Sequence, residues 1–376
     1  ILMDPSAGGY NLRLIDKLRE IHWGLVTILV VIACLGIAML YSVVGGSLSP
    51  YAGAQALRFG IALVMLIVVS LIDIRIWMTL AYPSYALALA LLIGVEIAGV
   101  TGKGATRWLE LGPLSLQPSE VMKIALVLAL SRWLMGRTKS EVNHPYVMGP
   151  ALAMILIPVL LVAHQPDLGT ALLLLASGGA ILFLAGLSWW YIGSAAAAAV
   201  LAVPVAWRQL KDYQKDRVLT FLNPDRDPMG AGYHTLQSKI GLGSGGLIGK
   251  GYLHSSQARL DFLPEKQTDF IFTILGEEFG FLGTLTLLTL YGIVMYYGLM
   301  IAFGARSHFG RLVAMGVAMT FMFYVLINTA MVCGLIPVVG VPLPLISYGG
   351  TAIMTIMFGM GLMISVHVHR GMGMGR

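Results

Sequence analysis

His22-Trp-Gly-Leu-Val-Thr-Ile-Leu-Val-Val-Ile-Ala-Cys-Leu-Gly-Ile-Ala-Met-Leu-Tyr-Ser-Val-Val44 contains no Asp, Glu, Lys or Arg along its whole length. A bilayer core takes about 20 helical residues to cross, and this run supplies them. It lacks the strict alternation of a barrel strand. Backbone amides in lipid need partners within the protein, so the run reads as a transmembrane helix. Similar runs recur near Gln55–Ile72, Ile76–Gly99, Pro118–Met135, Tyr146–Ala163, Gly169–Leu187 and Trp189–Trp207. Three more follow near Phe270–Phe303, Leu312–Cys333 and Ile346–Val368. The expected fold class is an all-α polytopic membrane protein of about ten transmembrane helices. The eighth run is long enough to be either one tilted helix or a pair broken at Gly280.

Composition agrees. Of 376 residues, 57% are apolar and 11% charged, where a soluble domain carries about 25% charged residues. The 45 glycines suit close helix packing in a membrane. A net charge of +6 would raise nucleic acid as a partner for a soluble chain. Here much of the basic excess lies in short segments and tails, where it sets orientation, and no nucleic-acid partner is expected. Cys34 and Cys333 both lie in apolar runs, which excludes a disulfide framework or a zinc site as the organising principle. Met3 to Glu20 is polar and the first apolar run is too long for a cleavable signal peptide. Ile1 in place of a start methionine is what a trimmed end would show.

Lys and Arg in the short segments predict the orientation. Arg13, Lys17 and Arg19 precede the first span. Arg132, Arg137 and Lys139 fall between the fourth and fifth, and Arg306 and Arg311 between the eighth and ninth. Arg370 and Arg376 follow the last. With ten spans, all fall on one side. The expected layout is a cytoplasmic tail over 1–21, spans one to seven over 22–207, a large extracytoplasmic loop over 208–268 between the seventh and eighth spans, spans eight to ten over 269–369, and a cytoplasmic tail over 370–376. Loops that long are usually functional or disordered. Tyr233, Leu236, Ile240, Leu247, Leu260 and Phe262 argue for order here.

Several motifs converge on the extracytoplasmic side. Gly241-Leu-Gly243-Ser-Gly245-Gly246 matches the dinucleotide fingerprint in form only, since no strand precedes it and no βαβ unit surrounds it. Lys250 precedes Gly251 rather than Ser or Thr, so a P-loop fails too, and the stretch reads as a tight loop of positive-φ turns. Asp261-Phe-Leu-Pro-Glu265-Lys-Gln-Thr-Asp269-Phe-Ile-Phe places Asp269 where the long loop meets the eighth span. Asp269 is either a helix cap or a carboxylate facing both water and a lipid-anchored substrate. Glu277 and Glu278 lie deeper. A mid-membrane charge costs about 2.5–3.5 kcal/mol on insertion scales, so each should face a polar cavity, a basic partner or the interface, and on different helix faces.

Gln117-Pro-Ser-Glu120-Val-Met-Lys123 opens the fourth span, with Pro118 and Ser119 as helix-start residues. Glu120 and Lys123 share a face and can pair, either as an ion pair entering the membrane together or as part of a polar cavity. Gln165-Pro-Asp167-Leu-Gly-Thr170 makes a short turn in which Asp167 could cap the next helix. Lys103, Arg107 and Trp108 could be interface anchors. The prolines and glycines of Val338–Gly350 forbid a plain helix, so that backbone should be buried in protein or line a cavity.

Taken together, Lys103-Gly-Ala-Thr-Arg107-Trp108, the Gln117–Lys123 and Gln165–Thr170 motifs, Gly232-Tyr-His-Thr-Leu-Gln-Ser-Lys239, Phe262–Phe272, Gly276-Glu-Glu-Phe-Gly280 and Pro337–Gly350 resemble the SEDS family (shape, elongation, division, sporulation) over nearly the whole chain. Gly249-Lys-Gly251 followed by Leu260-Asp-Phe-Leu-Pro, together with Gly232-Tyr-His234, resembles its elongation (RodA-type) branch rather than the division branch. Gln267 departs from the pattern, where a His usually precedes Thr-Asp. A proton relay through that side chain is therefore not expected.

The resemblance implies a peptidoglycan glycosyltransferase of the bacterial plasma (inner) membrane that polymerises lipid II during elongation and rod-shape maintenance. Its implied partners are a class B penicillin-binding protein transpeptidase and other elongation-complex membrane proteins. A sugar 4-hydroxyl attacking an anomeric carbon needs a base, for which Asp269 is the candidate. The departing undecaprenyl pyrophosphate needs positive charge. Arg107, Lys123, Arg217 and Lys239 are candidates to supply it, with Glu120 orienting Lys123 and Asp167 at the same site. No cofactor is required, and a divalent cation (Mg2+ or Mn2+) is left open as the metal. A lipid II flippase and a noncatalytic scaffold for the penicillin-binding protein are the alternatives. A flippase should carry polar groups through the bilayer rather than at one face.

Overall fold

Runs of apolar residues too long for a soluble core become long helices in the computed structural model, which describes residues 13–102, 105–111, 114–209, 212–223, 231–263 and 265–371. A short helix α1 (Leu14–Glu20) in the N-terminal tail precedes α2 (Trp23–Val43), α3 (Ala52–Leu71) and α4 (Ile74–Ala98). After a small sheet come α5 (Pro118–Leu134), the single turn α6 (Lys139–Val142), α7 (Pro145–His164), α8 (Leu168–Ala185) and α9 (Trp189–Gln209). The long connection carries α10 (Asp212–Leu222), α11 (Ala231–Ser244) and α12 (Ser256–Arg259). The chain then ends in α13 (Ile271–Gly304), α14 (His308–Val332) and α15 (Gly350–Val368).

Eight of these helices are long and apolar enough to cross a membrane: α2, α3, α4, α7, α8, α13, α14 and α15. The protein is thus a polytopic helical membrane protein. The other two helices in expected span positions differ from the eight in plain ways. α5 has 17 residues and contains Glu120, Lys123 and Arg132, and α9 is polar at its Arg208 end.

The third connection departs from the all-α expectation. β1 (Val100–Gly102), β2 (Ala105–Leu111) and β3 (Leu114–Leu116) form an antiparallel meander in the order β1-β2-β3. Thr101 faces Thr106, and Leu109 faces Leu116. β-branched and aromatic residues between glycines at 102, 104 and 112 are a hairpin signal, one that the surrounding membrane spans obscure. The long connection is not an open loop either, since three helices build it. Gly241 and Gly243 sit inside α11 rather than in a glycine-rich turn, and the positive-φ turns start later, at Gly246, Gly249 and Gly251.

α5 and α14 are the inner helices. α5 packs on α4, α7, α8, α14 and α15, while α14 packs on α5, α8, α11, α13 and α15. Fourteen residues of α5 are buried, polar ones included, as expected for a helix enclosed on all sides. Polar groups on these two helices must therefore find partners inside the protein.

α13 breaks at Gly280, whose φ of 65° and ψ of −161° are non-helical. This settles the choice between one tilted helix and a broken pair. The 246–251 turn docks into the break. Phe281 N donates to Gly246 O at 2.9 Å and Leu282 N to Leu247 O at 3.1 Å, while Lys250 N donates to Glu277 O at 3.0 Å. A Cβ on Gly280 would stand 2.5 Å from Gly249 N and 2.7 Å from Ile248 N. Backbone in this region is essentially glycine-only, and strain there costs about 1–3 kcal/mol before any clash. Gly280→Ala is therefore expected to lower the melting temperature in detergent by several degrees. An unshifted melt would show that the break relaxes freely.

Candidate functional site

Gln267, Thr268 and Asp269 form the entry to α13, and their three consecutive carbonyls are each gripped by another segment. Tyr348 N donates to Gln267 O at 2.8 Å. Ser347 Oγ donates to Thr268 O at 2.6 Å, and Asn328 Nδ2 donates to Asp269 O at 3.0 Å. The first two grips come from the segment between α14 and α15, whose prolines and glycines forbid a helix. α15 begins at Gly350, four residues later than its apolar run suggests, because Pro342, Pro344 and Gly349 keep 337–349 irregular.

From Val341 to Ser347 that irregular backbone is mostly buried in protein. Leu343 N donates to Ser347 Oγ at 2.7 Å, Gln55 Nε2 donates to Ser347 O at 2.9 Å, and Tyr291 OH donates to Pro344 O at 2.8 Å. The result is a rigid shelf under the Asp269 turn. The N-cap position of α13 is Phe270, and no side chain caps it. Asp269 thus stands one residue before the cap position. Its Oδ2 stands 3.4 Å from where a Cβ on Gly340 would be, and Gly340 has φ of 70°. The left-handed φ at Gly340 favours glycine there, and a Cβ would come into contact with the carboxylate.

Two other predicted site residues lie on neighbouring elements. A Cβ on Gly169 would lie 2.5 Å from Val339 O and 2.8 Å from Val341 Cγ2, so the Asp167 turn abuts residues 339–341. Asp167 does cap its helix, accepting from Thr170 N at 3.2 Å. It also accepts from Gln117 Nε2 at 3.2 Å, which joins it to the start of α5. On the other flank, the exposed Lys239 lies over the turn after α14, where a Cβ on Gly334 would be 2.7 Å from Lys239 Nζ. Beside it, Ser238 Oγ lies 2.7 Å from Thr273 Oγ1 and donates to Val332 O at 2.8 Å. This pins α11 to α13 and α14. Asp167, Lys239 and Asp269 therefore gather around the 333–341 segment at one end of the bundle.

Glu120 and Lys123 take a different position. They pair at 2.7 Å with side-chain exposures of 4% and 1%, inside the bundle. Tyr324, fully buried on α14, donates its hydroxyl to Glu120 Oε2 at 2.7 Å and also touches Lys123 Nζ. Its ring centroid lies 4.3 Å from Lys123 Nζ, a cation–π contact as well. Asp167 is near enough to Tyr324 to interact with it electrostatically. Arg107 lies on β2 and Arg217 on α10, but their side chains fall outside the described residues, as does Lys103.

Glu277 has the partners that burial demands, while Glu278 has them at one oxygen, its Oε2 being buried without a hydrogen-bond partner, and the two do not lie on separate walls. Lys250 pairs with Glu277 at 2.6 Å, and Ser255, Ser256 and the Gln257 N–H also donate to it. Glu278 accepts from Ser42 on α2 and from Ser255 N at 3.4 Å. Ser255 thus touches both carboxylates, because they lie just before the break at Gly280. Nearby, burial raises the Tyr252 phenol, with Glu278 and Tyr41 adding to the rise. This node ties the long connection to α2 and α13 behind the Asp269 turn.

Fold and site together define a polytopic helical membrane protein with a carboxylate-centred site at one end of its bundle. The chain belongs to the FtsW/RodA/SpoVE family, described as cell cycle proteins, whose family model matches residues 19–372. It is 45% identical over 318 residues to the peptidoglycan glycosyltransferase MrdB of Escherichia coli K12, covering 84% of this chain and 85% of that one. Among solved structures, a chain from work on structural coordination of polymerization and crosslinking by a peptidoglycan synthase complex superposes with TM-score 0.82. It is 33% identical, and the match covers 94% of this chain and 99% of the other. The rod shape determining protein RodA of Thermus thermophilus superposes with TM-score 0.71 at 29% identity, covering 94% of this chain and 98% of that one. The resemblance to the elongation branch agrees with these relatives.

Proposed function

We propose that this chain is a peptidoglycan glycosyltransferase that polymerises lipid II, with Asp269 as general base. The observation that carries the reading is the Asp269 turn, held at three consecutive carbonyls beside Gly340, at the end of the bundle where the Asp167 turn approaches residues 339–341 and Lys239 approaches Gly334. Preorganisation of this kind is what a base needs to take a proton as a weak nucleophile attacks.

In the proposed step the acceptor sugar 4-hydroxyl forms a bond to the anomeric carbon of the donor, and its proton passes to Asp269. The bond from that carbon to the pyrophosphate oxygen breaks, and the electron pair leaves with undecaprenyl pyrophosphate. Attack opposite an α-linked leaving group gives a β linkage. Lys239, at the turn after α14, is a candidate to meet the departing anion, with Arg107 and Arg217 as further candidates. Lys123 is held inside the bundle by Glu120 and Tyr324. It reaches the pyrophosphate only if that packing opens. Among the described residues no group of three or more His, Cys, Asp or Glu is placed to hold a metal ion. Should Mg2+ or Mn2+ take part, it would supply positive charge to the pyrophosphate oxygens.

In this reading the chain crosses the inner membrane ten times with both termini cytoplasmic, and the Asp269 end faces the periplasm. That side suits a class B penicillin-binding protein that cross-links the nascent glycan. The polyprenyl tail stays in the bilayer and enters laterally between helices.

The purified chain in detergent with lipid II is expected to yield glycan strands, and more of them with its transpeptidase partner. Adding EDTA separates a metal-dependent reaction from a metal-free one. Movement of lipid II across proteoliposomes without polymer would replace this reading with a flippase, and a purified wild-type chain that makes no polymer, with growth kept on substituting Asp269, would replace it with a scaffold.

A further inference from the structure

We propose that Asn328 is a positioning residue for the Asp269 carboxylate, an inference that rests on the base assignment above. Asn328 lies on α14 with no solvent exposure. Its Nδ2 bridges two segments distant in sequence, donating to Asp269 O at 3.0 Å and to Val341 O at 2.7 Å. Both donors of the amide are thereby spent on main-chain carbonyls. Its Oδ1 is buried with no hydrogen-bond partner. Leaving that acceptor unmet costs about 1–3 kcal/mol, and an apolar residue of similar volume would leave the two main-chain carbonyls unmet in its place. The amide thus ties those two carbonyls together in a fixed geometry.

The clamp fixes Asp269 against Val341, and Gly340, the residue before Val341, is the one whose Cβ position lies 3.4 Å from Asp269 Oδ2. Asn328 thus sets the height of the carboxylate above the shelf on which it stands. Because the contact is to the main chain, Asn328 touches no reacting atom and acts through Asp269 alone. A misplacement of about 1 Å can cost on the order of 100-fold in rate. The arrangement also puts Asn328 one helical turn above Tyr324, so one face of α14 carries both the Glu120–Lys123 contact and the Asp269 clamp.

The test is steady-state polymerisation of lipid II by the full chain carrying Asn328→Leu, with Asn328→Asp as a same-shape variant should the leucine protein fail to fold. Leucine removes both donors, and aspartate replaces the donor nitrogen with an oxygen that faces two carbonyls. Each folded variant is expected to lose about 10- to 100-fold in kcat with KM for lipid II within about threefold of wild type. Asn328→Gln keeps the donors one methylene further out and should fall between. A folded variant with wild-type kcat, or one whose loss lies in KM, overturns the positioning role. Neither result touches the base assignment, which fails separately if Asp269→Asn stays active.

Discussion

Asp269→Asn is expected to abolish glycan synthesis from purified lipid II while leaving the protein folded, inserted and able to bind its substrate. General-base catalysis is worth about 100- to 10,000-fold, so residual polymer should fall to that fraction of wild type or below. Asparagine matches aspartate in shape. The three main-chain grips on 267–269 do not involve its side chain, so the turn should stand. The clearance over Gly340 is also kept. A defect arising from chemistry then appears in kcat, with the melting temperature and lipid II affinity close to wild type. Asp269→Glu keeps the charge but pushes it outward by a methylene toward the shelf, and should recover only a small part of the rate. Robust polymerisation by the asparagine variant would remove the base from the mechanism.

The long helices were legible because each is a local property of about 20 residues: the ten apolar runs fall on helices to within a few residues at most ends, and among the described residues eight of these are long and apolar enough to cross a membrane. The place of Asp269 was legible for a similar reason, since it lies at the boundary between a polar stretch and an apolar one. What the sequence hid are the partners. Ser42 and Glu278 meet across 236 residues, and Tyr324 and Glu120 across 204. No spacing rule reaches that far. Lys250 illustrates the point. As the end of a failed phosphate-loop motif it carried no meaning, yet it is the cation that makes a buried Glu277 tolerable.

Asn328 and Tyr324 were passed over because a lone amide or phenol inside an apolar run gives no signal of its own. The cue that could have found them is their separation of four on one helix, together with the high cost of burying either without a partner. The β meander was missed for the opposite reason. Its strand signal is local, but ten strong membrane signals around it make an all-helical reading the default.

The Glu120–Lys123 pair poses a choice that a single experiment resolves. Both charges are buried, and removing one partner of a buried pair leaves the other uncompensated, at about 3–5 kcal/mol. Glu120→Gln should therefore destabilise strongly, even though the amide oxygen can still accept from Tyr324 OH. Adding Lys123→Met removes the stranded cation with a side chain of similar length. Replacing both charges of a buried pair is often neutral or better, so E120Q/K123M should regain most of the lost stability in a denaturation series. Activity then decides between the two roles. If polymerisation returns along with stability, the pair serves to carry α5 through the bundle beside α14. If the double variant is as stable as wild type yet makes no glycan, Lys123 meets the substrate after the packing around Tyr324 opens. Wild-type stability of E120Q alone would mean that Lys123 carries no buried charge, and the ion pair itself would have to be given up.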